Sequence, residues 1–448
     1  MSSAAPAVDL DAIADRILDA CRGADEAEIA IQTSRMGLTR FANSFIHQNV
    51  AEETTAAQLV VNVGGRIGRV GSNQLHAEGI TRLAANALEI ARLSPPDADH
   101  PGMPAADEGG TPGPEHFDAA TFAAEPDARG RQVAAFIGAG AGFRAAGYVD
   151  TDGTRAAYAN SHGRRCRGLY SRASVDGIQQ SDTSSGFAHQ TSNRLADIDG
   201  AAAGEVAAQK AEAGRDAVEL EPGNYEVLLE PAAVGTLLIF LAFYGINAKQ
   251  HIEGQSYVEL GTRQFSPLFT LTDDAGDPRA IGLPYDTEGV AKRHLELVTD
   301  GVSVALAHDR RTAHKAGTES TGHGAPGSSV YGPIPTNLFL KGGDTSFADM
   351  LRGVDRGILV TRFNYNRILD PKTTVVTGLT RDGTFLVERG EIVKPLQNFR
   401  YTQSYVEALR SIVAVGEAVM ADNEFGAGLT HCPPLHLERW NFTGSASG

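Results

Sequence analysis

Residues 223–261 read GNYEVLLEPAAVGTLLIFLAFYGINAKQHIEGQSYVELG. The segment 225–230 (YEVLLE) is rich in strand formers, Pro231 marks a turn, and 232–244 (AAVGTLLIFLAFY) is an apolar run of helical length. The composition of 237–244 is that of a helix buried in a core. No histidine occurs between His189 and His251. Ile239 and Phe240 offer only hydrocarbon, and the Tyr244 phenol, titrating near pH ~10, is a poor metal ligand at neutral pH. The stretch therefore predicts a strand, a turn and a core helix with nothing on it to hold a metal ion.

At 448 residues the chain is too long for one core and predicts two or three domains. Fifty glycines point to many turns and a β-rich part. The charge balance, 39 − 55 = −16, disfavours non-specific binding to nucleic acid or to an anionic membrane, which needs basic patches. The apolar run 234–243 is too short to cross a bilayer, which takes ~20 residues. The first twenty residues, MSSAAPAVDLDAIADRILDA, have neither a basic start nor an apolar core, so no secretory signal is expected there. Cys21, Cys166 and Cys432 are far apart and form no Cys-x-x-Cys. A reduced, cytoplasmic protein is the expectation.

The chain reads as α+β: an N-terminal region with an antiparallel sheet, then a larger β-rich C-terminal domain with a few helices. An amphipathic helix at 9–22, with Asp9 as its cap, precedes strand-like runs at 28–33, 37–42, 45–51, 56–63 and 66–70; a helix at 78–93 follows. These make a first domain, 1–94. Residues 95–126, rich in Pro, Gly, Asp and Ala, read as a linker or surface excursion. A second domain, 127–220, is expected to hold a helix over 127–146, strands over 148–188 with turns at Asp152-Gly153, His162-Gly163 and Asp176-Gly177, and a helix over 193–214. The C-terminal domain spans 221–448. It shows hairpin signals at Asp300-Gly301 and at 381–383, and a last helix over 406–419.

From residue 225 to 417 the chain resembles the TldD/PmbA family of zinc metallopeptidases. The resemblance rests on the strand–turn–helix above and on ordered blocks after it: GLPYDTEGVAKRHLELVTDGVSVALAHDRRTAHKAG (282–317), ESTGHG (319–324), PTNLFLKGGDTSFADMLRGVDRGILVTR (335–362) and GTFLVERGEIVKPLQNFRYTQSYVEALRSIVAVGE (383–417). The zinc-bearing members carry His-Glu-x-x-x-His on that helix. Laid on this chain, those positions fall at Ile239, Phe240 and Tyr244. The resemblance thus implies the PmbA/TldE-like branch, with no catalytic residue and no metal in this chain. It further implies zinc in a TldD-like partner (a heterodimer, with a homodimer as the other possibility) and a peptide or leader peptide as substrate. In such a complex Ser320, Thr321 and His323 of the ESTGHG loop are candidates to line a cleft.

Two other readings stay open. The family's zinc-bearing branch has a cysteine ligand near its C-terminus, and here Cys432 lies in THCPPLHLERW. His431, Cys432 and His436 are therefore the alternative ligand set of an autonomous hydrolase, although adjacent residues of an extended chain point to opposite sides. The other is a non-proteolytic binding or modulator protein, which at this charge would meet a basic protein rather than DNA. The triplets His251-Ile-Glu253, His294-Leu-Glu296 and His436-Leu-Glu438 lack the Pro-Cys-x-x-Cys that a zinc deaminase needs. The basic group Arg164, Arg165 and Arg167 reads as a solvated face or a contact for an acidic partner.

Overall fold

The computed structural model describes residues 8–421 and 429–445, so residues 1–7 of the N-terminal stretch lie outside it. The fold is α+β, as the sequence predicts. Helix α1 (Leu10–Ala20) starts where the Asp9 carboxylate accepts the Ala12 N–H. It leads into strands β1 (Glu26–Ala42), β2 (Phe45–Val63) and β3 (Arg66–Ser72), then α2 (Ala77–Leu93). After α3 (Ala119–Phe122) and α4 (Pro126–Ala139) come β4 (Arg144–Asn160), β5 (Arg165–Gln180), β6 (Ser185–Ser192) and α5 (Gly200–Ala213). These six strands form one antiparallel sheet in the order β3-β2-β1-β4-β5-β6. Segments 1–94 and 127–220 thus contribute three strands each to a single sheet.

The strands are longer than the sequence pattern predicts, and two expected turns are absent. Gly153 and Gly177 lie inside β4 and β5. Their role is close packing: a Cβ on Gly177 would stand 2.6 Å from the Phe136 ring, and one on Gly153 would stand 2.5 Å from Phe122. Glycine here admits an aromatic ring to the sheet face. The turn at His162-Gly163 forms, with Gly163 at φ 87°. The helix expected to reach 146 stops at Ala139, before Gly140 and Gly142.

The C-terminal part begins with β7 (Gly223–Leu229) and α6 (Pro231–Tyr244). It continues through β8 (Leu271–Asp273), β9 (Leu295–Thr299), β10 (Val302–Ser303), β11 (Asn337–Leu340), β12 (Arg356–Asp370), β13 (Val375–Glu388), β14 (Glu391–Pro395), β15 (Phe399–Ser404), β16 (Ile412–Val415), β17 (Val419–Ala421), β18 (Leu429–Cys432) and β19 (Leu435–Ser445). One six-stranded sheet runs β10-β9-β8-β11-β18-β17. In the other, β12, β7, β19, β15 and β13 pair in turn and β13 pairs back with β12, so the circuit closes. Closure removes free edges within the ring. Residues 381–383 do not turn the chain: β13 runs through them, with Asp382 at φ 53°, opposite an irregularity in the β12 register. The helix expected over 406–419 is only Tyr405–Arg410; Ile412–Val415 is the strand β16, because β19 offers it a partner.

Helix α6 is apolar on every side and sits in the largest core, where Ala233 through Ala242 are all buried. That burial explains why it forms without an amphipathic face.

Candidate functional site

The first turn of α6 borders a cleft of about 400 Å³. Glu230 precedes Pro231, which occupies the first helical turn, where its missing N–H costs nothing. The Glu230 carboxylate is held by Lys210 of α5 at 2.5 Å. Across the cleft, the Arg362 guanidinium lies over the Phe187 ring at 3.9 Å and pairs with Asp382, whose other oxygen accepts the Ser185 hydroxyl at 2.5 Å. Residues of β6 and β17 also line the cleft. Both are terminal strands of their sheets among the described residues. The cleft thus combines charged groups, an apolar floor and two sheet edges.

Ile239 and Phe240 lie outside this cleft, each only 3% exposed. Phe240 meets Tyr244 and Tyr405 with ring centroids 5.7 and 5.8 Å apart. Tyr244 is half-buried, and burial raises its phenol above the usual value. His431, Cys432 and His436 are not brought together. His431 turns outward to within 2.8 Å of the Arg279 guanidinium. Cys432 turns inward and donates its thiol to the Pro231 carbonyl at 3.3 Å, and burial pushes that thiol up to about 12. His436 belongs to β19, in the other sheet, 3.6 Å from Glu226.

The ESTGHG loop also lies away from the cleft. The Ser320 hydroxyl donates to the His308 carbonyl at 3.2 Å, and the Thr321 hydroxyl lies 2.8 Å from His323 Nδ1. The other ring nitrogen of His323 faces the fully buried Asp273 at 3.2 Å. Burial alone would raise the Asp273 carboxyl; the His323 ring, the Lys292 ammonium and the Asn337 N–H outweigh it and hold the group below its ordinary value. Asp286 closes the far side, accepting the Gly324 N–H at 2.8 Å.

This buried network was not legible as a unit in the sequence. Asp273 stands at the start of a DDAGDP turn, and Asp286, Glu288 and Lys292 share one family block, but only folding sets them around His323. The cleft residues Lys210, Glu230 and Arg362 were likewise missed. They lie 152 residues apart between first and last, with no motif spacing to mark them.

Burial, reinforced by Asp286 and Asp309, raises the Glu288 carboxyl well above its ordinary value, and Glu28 adds to this. A folded state that holds this proton more tightly than the unfolded chain is favoured below pH ~4.3 and loses that advantage as pH rises. Glu288→Gln is therefore expected to be more stable than the parent at pH 8, with the gap closing toward pH 4. Urea midpoints at both pH values measure it, and a gap that widens toward acid would refute the assignment.

Residues 222–444 match the family described as "PmbA/TldA metallopeptidase C-terminal domain". The chain belongs to the PmbA/TldD family. It is 26% identical over 215 residues to a protein of Haemophilus influenzae described as "Metalloprotease TldD homolog", a match covering 47% of this chain and 44% of that one. It is 25% identical over 216 residues to a "Metalloprotease" of Methanothermobacter thermautotrophicus, covering 47% and 45%. The aligned region thus spans less than half the length of these curated relatives. The fold extends further. The crystal structure of TldE from Thermococcus kodakarensis superposes with a TM-score of 0.85 at 20% identity, covering 96% of this chain and 99% of that one.

A zinc metallopeptidase family implies zinc, and the residues at the positions that the resemblance assigns to its metal motif do not fit it. Zinc takes imidazole, thiolate or carboxylate. Ile239 and Phe240 supply none, and the Cys432 thiol is held protonated against a carbonyl.

Proposed function

We propose that this chain is a PmbA/TldE-like subunit that does not itself cleave peptides. It pairs with a zinc-bearing TldD-like chain, or with a second copy of itself, and supports proteolysis of small or unfolded peptides or leader peptides. The observation that carries this reading is hydrocarbon at Ile239 and Phe240, where the resemblance places the His-Glu pair of the family's metal motif. The cleft supports a role in handling an extended peptide: two terminal strands line it, and unpaired backbone groups of such strands accept an added strand without demanding one sequence. A partner chain can also close over a reacting centre and exclude water from it.

The test is reconstitution. Purified alone and supplied with zinc, the chain is expected to leave unfolded peptides intact. Mixed with a family member that carries an intact His-Glu-x-x-x-His, it is expected to co-elute with it and to raise peptide cleavage above that of the partner alone. Zinc-dependent cleavage by the isolated chain, abolished by Cys432→Ser, would overturn the proposal in favour of the autonomous hydrolase.

A further inference from the structure

Strand β2 is far longer than the strand that covers it. β3 pairs only with residues 57–63 of β2, and residues 45–56 run on past its end with β1 on one side. Among the described residues no strand pairs with 45–56 on the other side. Burial falls away along the same stretch. Every residue from 45 to 53 except Val50 is exposed, Phe45 by 57% and Ile46 by 44%. An open edge of this kind is a template for a further strand, and proteins commonly blunt it with lysine or proline. Residues 45–56 contain neither.

The direction of the backbone follows from the hairpin. Gly64 and Gly65, both at positive φ, form the two-residue loop between β2 and β3, so the flanking Val63 and Arg66 exchange N–H and C=O bonds. Every second residue of β2, from Val63 back to Ala57, therefore bonds to β3. Beyond the end of β3 the same alternation turns the N–H and C=O of Thr55, Glu53, Ala51 and Asn49 to the open side. Thr54, Glu52 and Val50 bond to β1 instead. A bulge at His47, where Phe41 pairs with Ile46 and Arg40 with Gln48, closes the regular run.

The side chains decide what fits this edge. Like charges directly opposite one another destabilise a strand pair, and donors opposite carboxylates support it. A second copy laid antiparallel with Val50 opposite Val50 sets Gln48 against Glu52, His47 against Glu53, and Ile46 against Thr54. Each carboxylate then faces a side chain able to donate an N–H. Sliding the register by two residues sets Glu52 against Val50 in one direction and against Ile46 in the other. Parallel stacking in register sets both glutamates on their own twins. The charges thus favour one closed antiparallel pair over open-ended stacking.

We propose that the open edge of β2 is the face at which two copies of this chain pair, antiparallel about a two-fold axis at Val50. The contact is isologous and closes after two copies, joining two sheets into one. The cleft beside α6 is lined by β6, the terminal strand at the far side of the same sheet, so pairing at β2 leaves it open. This inference rests on the second-copy arm of the partner reading above and on nothing about cleavage.

The test is sedimentation velocity of the full chain over about 1–100 µM, the range suited to an interface at the small end of the size scale. A monomer–dimer equilibrium is expected. Ala51→Pro removes an N–H on the open side and none that β1 uses, so it is expected to keep the parent's circular dichroism and to abolish the dimer. Gln48→Glu, at an exposed position, sets carboxylate against carboxylate twice across the axis and is expected to weaken dimerisation roughly tenfold. Gln48→Lys is expected to tighten it. Cα atoms of a non-hydrogen-bonded antiparallel pair stand about 4.5 Å apart, within disulfide reach. Val50→Cys is therefore expected to cross-link under mild oxidation and Thr54→Cys is not; the native cysteines are buried. A chain that stays monomeric throughout overturns the proposal together with the second-copy arm. A dimer indifferent to both Ala51→Pro and Gln48→Glu overturns this interface and leaves that arm standing. Cross-linking through Thr54→Cys but not Val50→Cys overturns the register.

Discussion

Phe240→Glu, which puts a carboxyl where the resemblance places the acidic member of the family's metal motif, is expected to unfold the C-terminal core rather than create a peptidase. Phe240 is 3% exposed and packs against Tyr244 and Tyr405. Removing the ring costs about 3–5 kcal/mol, and a carboxyl among hydrocarbon without a partner adds to it. The loss is expected to exceed about 4 kcal/mol, a large share of the ~5–15 kcal/mol that stabilises a typical protein. It also carries a pH signature. A buried carboxyl has a raised folded-state pKa, so the variant is least damaged below pH ~4.3 and loses stability as pH climbs. Urea unfolding at pH 4 and pH 8, with circular dichroism as the probe, measures both effects. A variant that melts like the parent would show that α6 borders open space, and the silent-scaffold reading would lose its foundation. Adding Ile239→His and Tyr244→His is not expected to rescue the fold, because Ile239 is as deeply buried as Phe240.

Trp440→Ala is expected to lower stability by about 3–5 kcal/mol. Trp440 is fully buried on β19, stacks on Phe363 at 5.1 Å with the planes 10° apart, and packs against Tyr401 and Tyr405. It belongs to the strand that joins β7 to β15, so its loss opens the closed circuit from within. Trp440→Phe keeps an aromatic ring and is expected to cost less, about 1–2 kcal/mol. Trp440 is the chain's single tryptophan, so its fluorescence in the parent reports this core alone. For a domain of this size the alanine change corresponds to a fall in Tm on the order of 10 °C. A shift below about 2 °C would mean the ring of strands does not depend on its aromatic interior.

Several features were legible in the sequence because they are local. The Asp9 cap and the apolar helical run that follows Pro231 each need only a few neighbouring residues. The ordered blocks from 225 to 417 carried the family resemblance. The failures share a cause. Gly153 and Gly177 look like turn residues until Phe122 and Phe136 are packed on them, and 412–415 looks helical until β19 lies alongside. Pairing with a distant strand decides such cases, and no local window contains the partner.

The sequence by itself determined which side chains stand at the positions that the resemblance assigns to the family's metal motif. Side-chain chemistry at 239, 240 and 244 is fixed by residue identity: two are hydrocarbon and the third is a phenol. Only the tertiary structure decided what stands together. It separated His431, Cys432 and His436, which are neighbours along the chain, and it set Glu26 against His100 and His162, which are not. The physical reason is that a strand sends successive side chains to opposite faces while a sheet joins residues a hundred positions apart, so nearness in space follows hydrogen-bonded register and not position in the sequence.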